Sequence, residues 1–139
     1  MVMKNITSQN STNVKSVYDW SGKTIVIADD IYTNFLLFEA IMKGTNVKLI
    51  WAKNGQEAIE KCLNNENIDL VFMDIQMPVM NGIEATREIK KILKDLPVIA
   101  QTAFTAYFDE DEILKAGCSQ VLTKPIMPDF ILYTISKYL

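Results

Sequence analysis

The run Leu70–Met73 (LVFM), which Asp74 follows directly, is the stretch of sequence that best indicates the architecture of this chain. Four consecutive apolar residues that end in an acid are typical of a strand buried on both faces. Strands of this kind occur in parallel sheets that helices cover on both sides. We therefore expect Leu70–Met73 to be a buried strand, with Asp74 at its carboxyl end.

The same unit recurs along the chain, because five short apolar runs alternate with five longer amphipathic segments. The apolar runs predict strands at Thr24–Ala28, Val47–Trp51, Leu70–Met73, Pro97–Gln101 and Gln120–Leu122. The amphipathic segments predict helices at Tyr32–Lys43, Gln56–Asn64, Gly82–Lys94, Phe108–Ala116 and Pro128–Tyr138, with Gly117 closing the fourth. Strands that alternate with helices indicate the α/β class, built around a parallel sheet.

The length of the chain fits a single domain. Its 139 residues, 49% of them hydrophobic, can bury a sizeable core. Residues 1–20 are polar and show no periodicity, which predicts a flexible N-terminal arm or linker. The folded domain is then expected over residues 21–139, which leaves no room for a second one.

Composition narrows the classes of function. A net charge of −3 gives no basic surface, so nucleic acid is not expected as a partner. The absence of histidine excludes His-based catalytic triads and His-ligated metal sites. Cys62 and Cys118 lack metal-ligand spacing and are expected to be buried and reduced. No apolar run could span a membrane or act as a signal peptide, which predicts a cytoplasmic protein without direct membrane contact.

Ligands of parallel α/β sheets bind at the carboxyl ends of the strands. At those ends the sequence places Asp29, Asp30, Asp74, Thr102 and Lys124. Taken singly, each has an ordinary explanation as a helix cap, a loop acid or a solvated charge. Separate explanations would not predict that all five follow strands of one sheet. We therefore expect them to form one site.

Three carboxylates, a hydroxyl and a lysine at one edge indicate phosphoryl chemistry. Neighbouring carboxylates repel one another, so they either raise a pKa or hold a cation. A site made only of oxygen ligands suits Mg²⁺, or Mn²⁺, better than zinc. A carboxylate beside such an ion can act as a nucleophile and form an acyl phosphate, while a lysine and a hydroxyl bind the phosphoryl oxygens.

Four motifs in this order resemble the receiver domain of two-component response regulators. They are Ile25–Asp30 (IVIADD), Val71–Gly82 (VFMDIQMPVMNG), Gln101–Ala103 (QTA) and Leu122–Ile126 (LTKPI). The resemblance covers roughly residues 22–139 and is close in style to receivers attached to hybrid sensor kinases. It implies a flavodoxin-like, doubly wound (βα)5 fold, with a five-stranded parallel sheet in order 2-1-3-4-5 and helices on both faces.

The resemblance also implies a role for each acid. Asp74 would accept the phosphoryl group. Asp30 and Asp74, joined by the backbone carbonyl of Gln76, would bind Mg²⁺, and Asp29 would act through the water shell of the metal. Each of these roles is carried over from the family pattern.

Two further residues acquire roles in the same way. Thr102 would contact the phosphoryl group and move on activation, and Lys124 would bond to the phosphoryl group. The Lys124–Pro125 peptide is usually cis in this family. Gly82 would give conformational freedom to the loop after the site.

Such a domain is a regulatory phosphoacceptor that catalyses its own phosphorylation and slow dephosphorylation. It would take the phosphoryl group from the phosphohistidine of a sensor histidine kinase or a histidine phosphotransfer domain, and signal by conformational change or onward relay. Apolar residues within 31–35 could dock a helical partner, or could simply pack on the sheet. A homodimer is a further option.

Three positions bear on switching and on phosphoryl lifetime. Val121 stands where many receivers carry an aromatic residue that moves with the threonine, so we expect relay, or switching through other contacts such as Phe104. Phe104 and Gln76 lie two residues after Thr102 and Asp74, at positions that help to set phosphoryl lifetime in the family. A bulky apolar Phe104 should hinder water and prolong that lifetime.

Three other interpretations are open. An FMN-binding flavodoxin would need a phosphate-binding loop after the first strand, where Asp29 and Asp30 stand. A hydrolase of the haloacid-dehalogenase type wants an acid two residues after the nucleophile, where Gln76 stands. A pseudo-receiver that only binds a partner is favoured by Val121 and opposed by the complete set of acids, threonine and lysine.

Overall fold

The computed structural model describes residues 16–65, 67–103 and 109–139, and within them strands and helices alternate. The strands are β1 (Thr24–Ala28), β2 (Lys48–Ala52), β3 (Leu70–Asp74), β4 (Val98–Ala103) and β5 (Gln120–Lys124). The helices are α1 (Tyr32–Ile41), α2 (Gly55–Asn64), α3 (Gly82–Ile92), α4 (Glu110–Ala116) and α5 (Pro128–Ser136).

The strands form one parallel sheet in the order β2-β1-β3-β4-β5, which confirms the predicted flavodoxin-like topology. Strand β3 lies in the middle and is buried along its whole length. In the register of the sheet, Ala28 lies opposite Met73, and Asp74 lies opposite Gln101. The acid that ends β3 is therefore level with the acids that directly follow β1.

A hydrophobic core covers each face of the sheet, because successive side chains of a strand point to opposite faces. On one face Val71 packs in a cluster with Ile89 of α3 and with residues of α2 and α4. On the other face Phe72 packs with Phe38 of α1 and Ile131 of α5. Phe72 is fully buried, and its ring centroid lies 5.0 Å from that of Phe38. The expectation of helices on both faces is confirmed.

The strands next to the site run further than their apolar residues predicted. β4 and β5 extend two residues beyond the prediction, to Ala103 and Lys124, and these two residues pair in register. β4 begins at Val98 rather than Pro97, since proline has no N–H to donate to a ladder. β2 lies one residue later than predicted.

The observed helices differ from the predicted ones by one or two residues at their ends, where the last turn of a helix frays. Helices α1, α3 and α5 end two residues earlier than predicted. α2 begins one residue earlier, with Asn54 as its N-cap. The predicted start of the fourth helix, Phe108, lies outside the described residues, and α4 runs from Glu110 after the N-cap Asp109.

The amino end of β1 is anchored by Trp20. It is buried in the core beneath α1 and α5, and its backbone N–H donates to the carbonyl of Thr45 at 2.6 Å. Residues 1–15 lie outside the described ranges, so the flexible arm predicted for residues 1–20 stays a prediction.

Both cysteines are buried and unpaired, as expected. Burial raises the pKa of the Cys62 thiol to about 12, so this group stays protonated. Among the described residues, no helix has the length and apolar character needed to cross a membrane.

Candidate functional site

Asp29, Asp30 and Asp74 lie together at the carboxyl edge of the sheet. Each offers one carboxylate oxygen, and these three atoms all lie within 4.8 Å of one another. Asp29 is fully buried and Asp74 is 6% exposed, whereas Asp30 is open to solvent. The structure thus brings together the three acids that the sequence singled out, with one side of the cluster accessible.

Hydrogen bonds compensate the buried charge of Asp29. Its Oδ1 accepts from the backbone N–H of Ile31 at 2.9 Å, and the side-chain amide of Asn34 donates to both carboxylate oxygens at 3.2 and 3.1 Å. Burial takes the carboxylate oxygens away from water, and these donors replace the hydrogen bonds that water would make. Asn34 was missed by the sequence reasoning; its place in the first turn of α1, five residues after Asp29, was the available signal.

Lys124 lies between the two buried acids. Its Nζ is 3.4 Å from Asp74 Oδ2 and 3.5 Å from Asp29 Oδ2. Burial raises the pKa of Asp74 to about 6, and the charge of Asp29 adds to this effect, while the Lys124 ammonium opposes it. The Asp74 carboxylate is ionised at neutral pH but poorly solvated, so a cation or an electrophile at this position would relieve its charge.

The chain matches the family model of the response regulator receiver domain over residues 25–136. It belongs to this family. Receiver domains are the phosphoacceptor modules of two-component signalling, and this is the function of the chain. The flavodoxin and haloacid-dehalogenase interpretations are therefore wrong.

Individual relatives agree with the family match. The chain is 35% identical over 119 residues to the polar-differentiation response regulator DivK of Brucella anthropi, an alignment that spans 84% of this chain and 96% of the relative. The alignment therefore covers almost the whole of that relative.

Two solved structures share the receiver fold. One is the receiver domain of the Saccharomyces cerevisiae response regulator Ssk1, co-crystallised with the histidine phosphotransfer protein Ypd1; it is 27% identical, with a TM-score of 0.78 over 88% of this chain and 91% of that one. The other is the receiver domain of the Pseudomonas aeruginosa sensor histidine kinase PA1611, with a magnesium ion in its active-site cleft. It is 26% identical, with a TM-score of 0.76 over 85% and 98% of the two chains.

The acids of this receiver fit a hard divalent cation. The side-chain atoms that could bind a metal ion here are all carboxylate oxygens, and they lie close enough together to share one ion. Asp30 is exposed, which leaves room for water molecules on that ion. Mg²⁺ prefers oxygen ligands and keeps several of its waters. Binding of Mg²⁺ at an acidic cluster of this kind is a property of receiver domains.

Two other predicted site residues, Thr102 near the end of β4 and Gln76 after β3, are more exposed than Asp29 and Asp74. Thr102 is partly exposed, and its hydroxyl donates to the carbonyl of Ala103 at 3.2 Å. Gln76 is exposed just after β3. Within the described ranges, no hydrogen bond joins the Thr102 side chain to Asp74, so its predicted role needs a phosphoryl group to bring the partners together. The predicted role of Gln76 depends on its backbone carbonyl and not on its side chain, and it stays a prediction.

Gly82 serves a purpose different from the predicted one. Its backbone does not adopt a positive φ, so freedom of the loop does not require glycine here. A Cβ at this position would overlap the carbonyl oxygen of Asp74, and the Gly82 N–H donates to the carbonyl of Ile75 at 2.9 Å. Glycine is needed because the first turn of α3 touches the backbone at the end of β3.

Three further predictions concern residues on or next to β4 and β5. The Lys124–Pro125 peptide is cis, as the resemblance implied. Val121 is half-buried and packs against the core between the sheet and α2, α3 and α4. Phe104 lies outside the described residues, so its role in switching and in phosphoryl lifetime stays a prediction.

Proposed function

We propose that Asp74 is the phosphorylated residue of this receiver, and that Mg²⁺ binds between Asp30, Asp74 and the backbone carbonyl of Gln76, with Asp29 acting through water. The observation that carries the proposal is the position of Lys124, whose Nζ lies within 3.5 Å of both buried acids. An ammonium at this position can pair with the Asp74 carboxylate before the reaction and with the oxygens of the phosphoryl group once that group is attached. Mn²⁺ fits the same oxygen set.

In the proposed reaction, a carboxylate oxygen of Asp74 attacks phosphorus in line with the bond to the donor nitrogen. The new P–O bond forms as the P–N bond of the phosphohistidine breaks, and the histidine takes up a proton. When bound, Mg²⁺ would neutralise charge on the phosphoryl oxygens. Lys124 contributes a second cationic contact, and the Thr102 hydroxyl would leave Ala103 to donate to a phosphoryl oxygen.

The donor is proposed to be a sensor histidine kinase or a histidine phosphotransfer domain. Tyr32, Leu36 and Leu37 are exposed apolar residues of α1, the helix that begins two residues after Asp30, and they suit the apolar face of a helix that carries the phosphohistidine. Self-association is a second use of apolar surface, and the exposed Met127 and Phe130 at α5 support it. A cytoplasmic location is part of the proposal, since the kinase that supplies the phosphoryl group uses ATP.

The proposal is tested with a small-molecule donor. Wild type, Asp74→Asn and the matched control Asp95→Asn are incubated with acetyl phosphate and Mg²⁺, and their intact masses are measured. Asp95 is an exposed acid in the loop before β4, at the opposite end of the sheet. We expect one phosphoryl group on wild type and on the control, none on Asp74→Asn, and none in EDTA.

Other outcomes separate the alternatives. Phosphorylation of Asp74→Asn would move the acceptor to another acid and overturn the proposal. A wild type that accepts nothing from acetyl phosphate or from a phosphorylated histidine phosphotransfer domain, although it binds Mg²⁺, would identify a pseudo-receiver.

A further inference from the structure

Trp51, near the end of β2, makes a hydrogen bond that reaches into the acidic site. Its indole Nε1–H donates to the backbone carbonyl oxygen of Asp29 at 2.8 Å. The backbone ladder between β1 and β2 reaches Asp29, whose N–H donates to the carbonyl of Ala52 at 3.0 Å. Among the described residues, the Asp29 carbonyl itself has no backbone donor and accepts from Trp51 instead. The indole therefore continues the ladder by one bond.

The carbonyl that Trp51 holds belongs to the peptide between the first two acids of the site. A peptide unit is planar and contains the Cα atoms on both sides of it. Holding the carbonyl oxygen of Asp29 in place therefore also orients the bond between the nitrogen and the Cα of Asp30. The side chain of Asp29 is held separately, by Asn34 and by the N–H of Ile31. Asp30 is exposed, and one of its carboxylate oxygens lies within 4.8 Å of an oxygen of Asp74, so the orientation of its peptide contributes to that approach.

The ring of Trp51 is itself held in place by α1. Its centroid lies 4.7 Å from that of Tyr32 and 6.1 Å from that of Phe35. Tilted aromatic pairs at these separations are attractive and restrict ring rotation. The Nε1–H donor is thus fixed in direction before any ligand arrives.

We propose that Trp51 is a positioning residue for the metal site, whose indole N–H holds the Asp29–Asp30 peptide so that the Asp30 carboxylate faces Asp74. The inference rests on the proposed function, because it presupposes that these acids bind Mg²⁺. Without the bond, Asp30 has to be ordered when the ion binds, and that ordering weakens the affinity.

The test compares Mg²⁺ affinities by isothermal titration calorimetry. Trp51→Phe keeps an aromatic ring against Tyr32 and removes the donor, whereas the control Trp20→Phe alters a buried tryptophan at the other end of β1. We expect the Mg²⁺ dissociation constant to rise about three- to tenfold in Trp51→Phe, as for loss of one hydrogen bond, and to stay unchanged in Trp20→Phe. Unfolding midpoints without metal are measured for both, because a merely structural role would lower the midpoint and leave the affinity intact.

The outcomes are distinguishable from failure of the proposed function. Equal Mg²⁺ affinities of Trp51→Phe and wild type would overturn the inference and leave the metal site standing. A wild type that binds no Mg²⁺ would overturn the metal site and, with it, the positioning role.

Fluorescence gives a second measurement that does not depend on a folded Trp51→Phe variant. In Trp20→Phe, Trp51 is the only tryptophan, and its emission should change with Mg²⁺ and saturate at the calorimetric dissociation constant. An emission that stays constant while calorimetry detects binding would place the ion away from the Asp29–Asp30 peptide, and this would also overturn the inference.

Discussion

Replacing Asp74 by asparagine should stabilise the Mg²⁺-free protein, and the gain should grow as the pH rises. Burial raises the pKa of Asp74 from its ordinary 3.8 to about 6, a difference that corresponds to about 3 kcal/mol. The side chain is only 8% exposed, so little of this is lost to screening by solvent. Asparagine resembles the neutral acid in shape and carries no charge to bury.

The direction of the pH effect follows from proton binding. Between about pH 4 and pH 6 the folded state keeps the proton on Asp74, while the unfolded state has released it. Stability conferred by the protonated carboxyl is therefore complete below pH 4 and is lost as the pH rises through this window. The resulting penalty in wild type is about 1 kcal/mol at pH 4.5 and about 3 kcal/mol at pH 8.

The assay is urea unfolding of wild type and Asp74→Asn in EDTA at both pH values. The difference in unfolding free energy between the two proteins should increase by about 2 kcal/mol from pH 4.5 to pH 8. The control Asp95→Asn should show no comparable increase, because Asp95 is exposed. A difference for Asp74→Asn that is the same at both pH values would refute the reasoning.

Three further predictions concern single residues around the site. Lys124→Met removes the cation between the buried acids, so phosphorylation by acetyl phosphate, followed by intact mass, should slow about a hundredfold while Mg²⁺ still binds; an unchanged rate would exclude Lys124 from the reaction. Gly82→Ala should lower the unfolding free energy by about 3 kcal/mol in urea, since its Cβ would overlap the Asp74 carbonyl, and a neutral effect would contradict that close approach. Val79, exposed with a φ of 71°, is strained, so Val79→Asn should stabilise by about 1 kcal/mol, and a loss of stability would show that no strain is relieved.

The fold was predictable because its signal is local. Leu70–Met73 is apolar at every position since both faces of β3 are covered, and that pattern is visible in the sequence. The ends of β4 and β5 were not predictable in this way. Ala103 and Lys124 pair at the solvent-exposed edge, where hydrogen bonding continues although burial has ended.

The charged residues of the site were predictable because each stands at the carboxyl end of a predicted strand. Trp51 and Asn34 could not be found in this way, because each acts on Asp29 through a contact between different elements. In the sequence Trp51 looks like an ordinary apolar strand residue, and only the pairing of β2 with β1 places its N–H against the carbonyl of Asp29. Gly82 was predicted to give the loop after the site conformational freedom. Its role depends instead on how closely α3 approaches β3, and spacing along the chain does not reveal that distance.

The unfavourable burial of Asp74 also predicts how protons and Mg²⁺ compete. A proton and a cation both remove the uncompensated charge of the same carboxylate, so each excludes the other. With a pKa of about 6, Asp74 is ionised at pH 7.5 and largely protonated at pH 5. The Mg²⁺ dissociation constant measured by calorimetry should therefore be level above pH 7 and rise about tenfold for each pH unit below 6. An affinity that stays constant down to pH 5 would mean that the ion is held by Asp29 and Asp30 without Asp74, and the geometry proposed for phosphoryl transfer would be wrong.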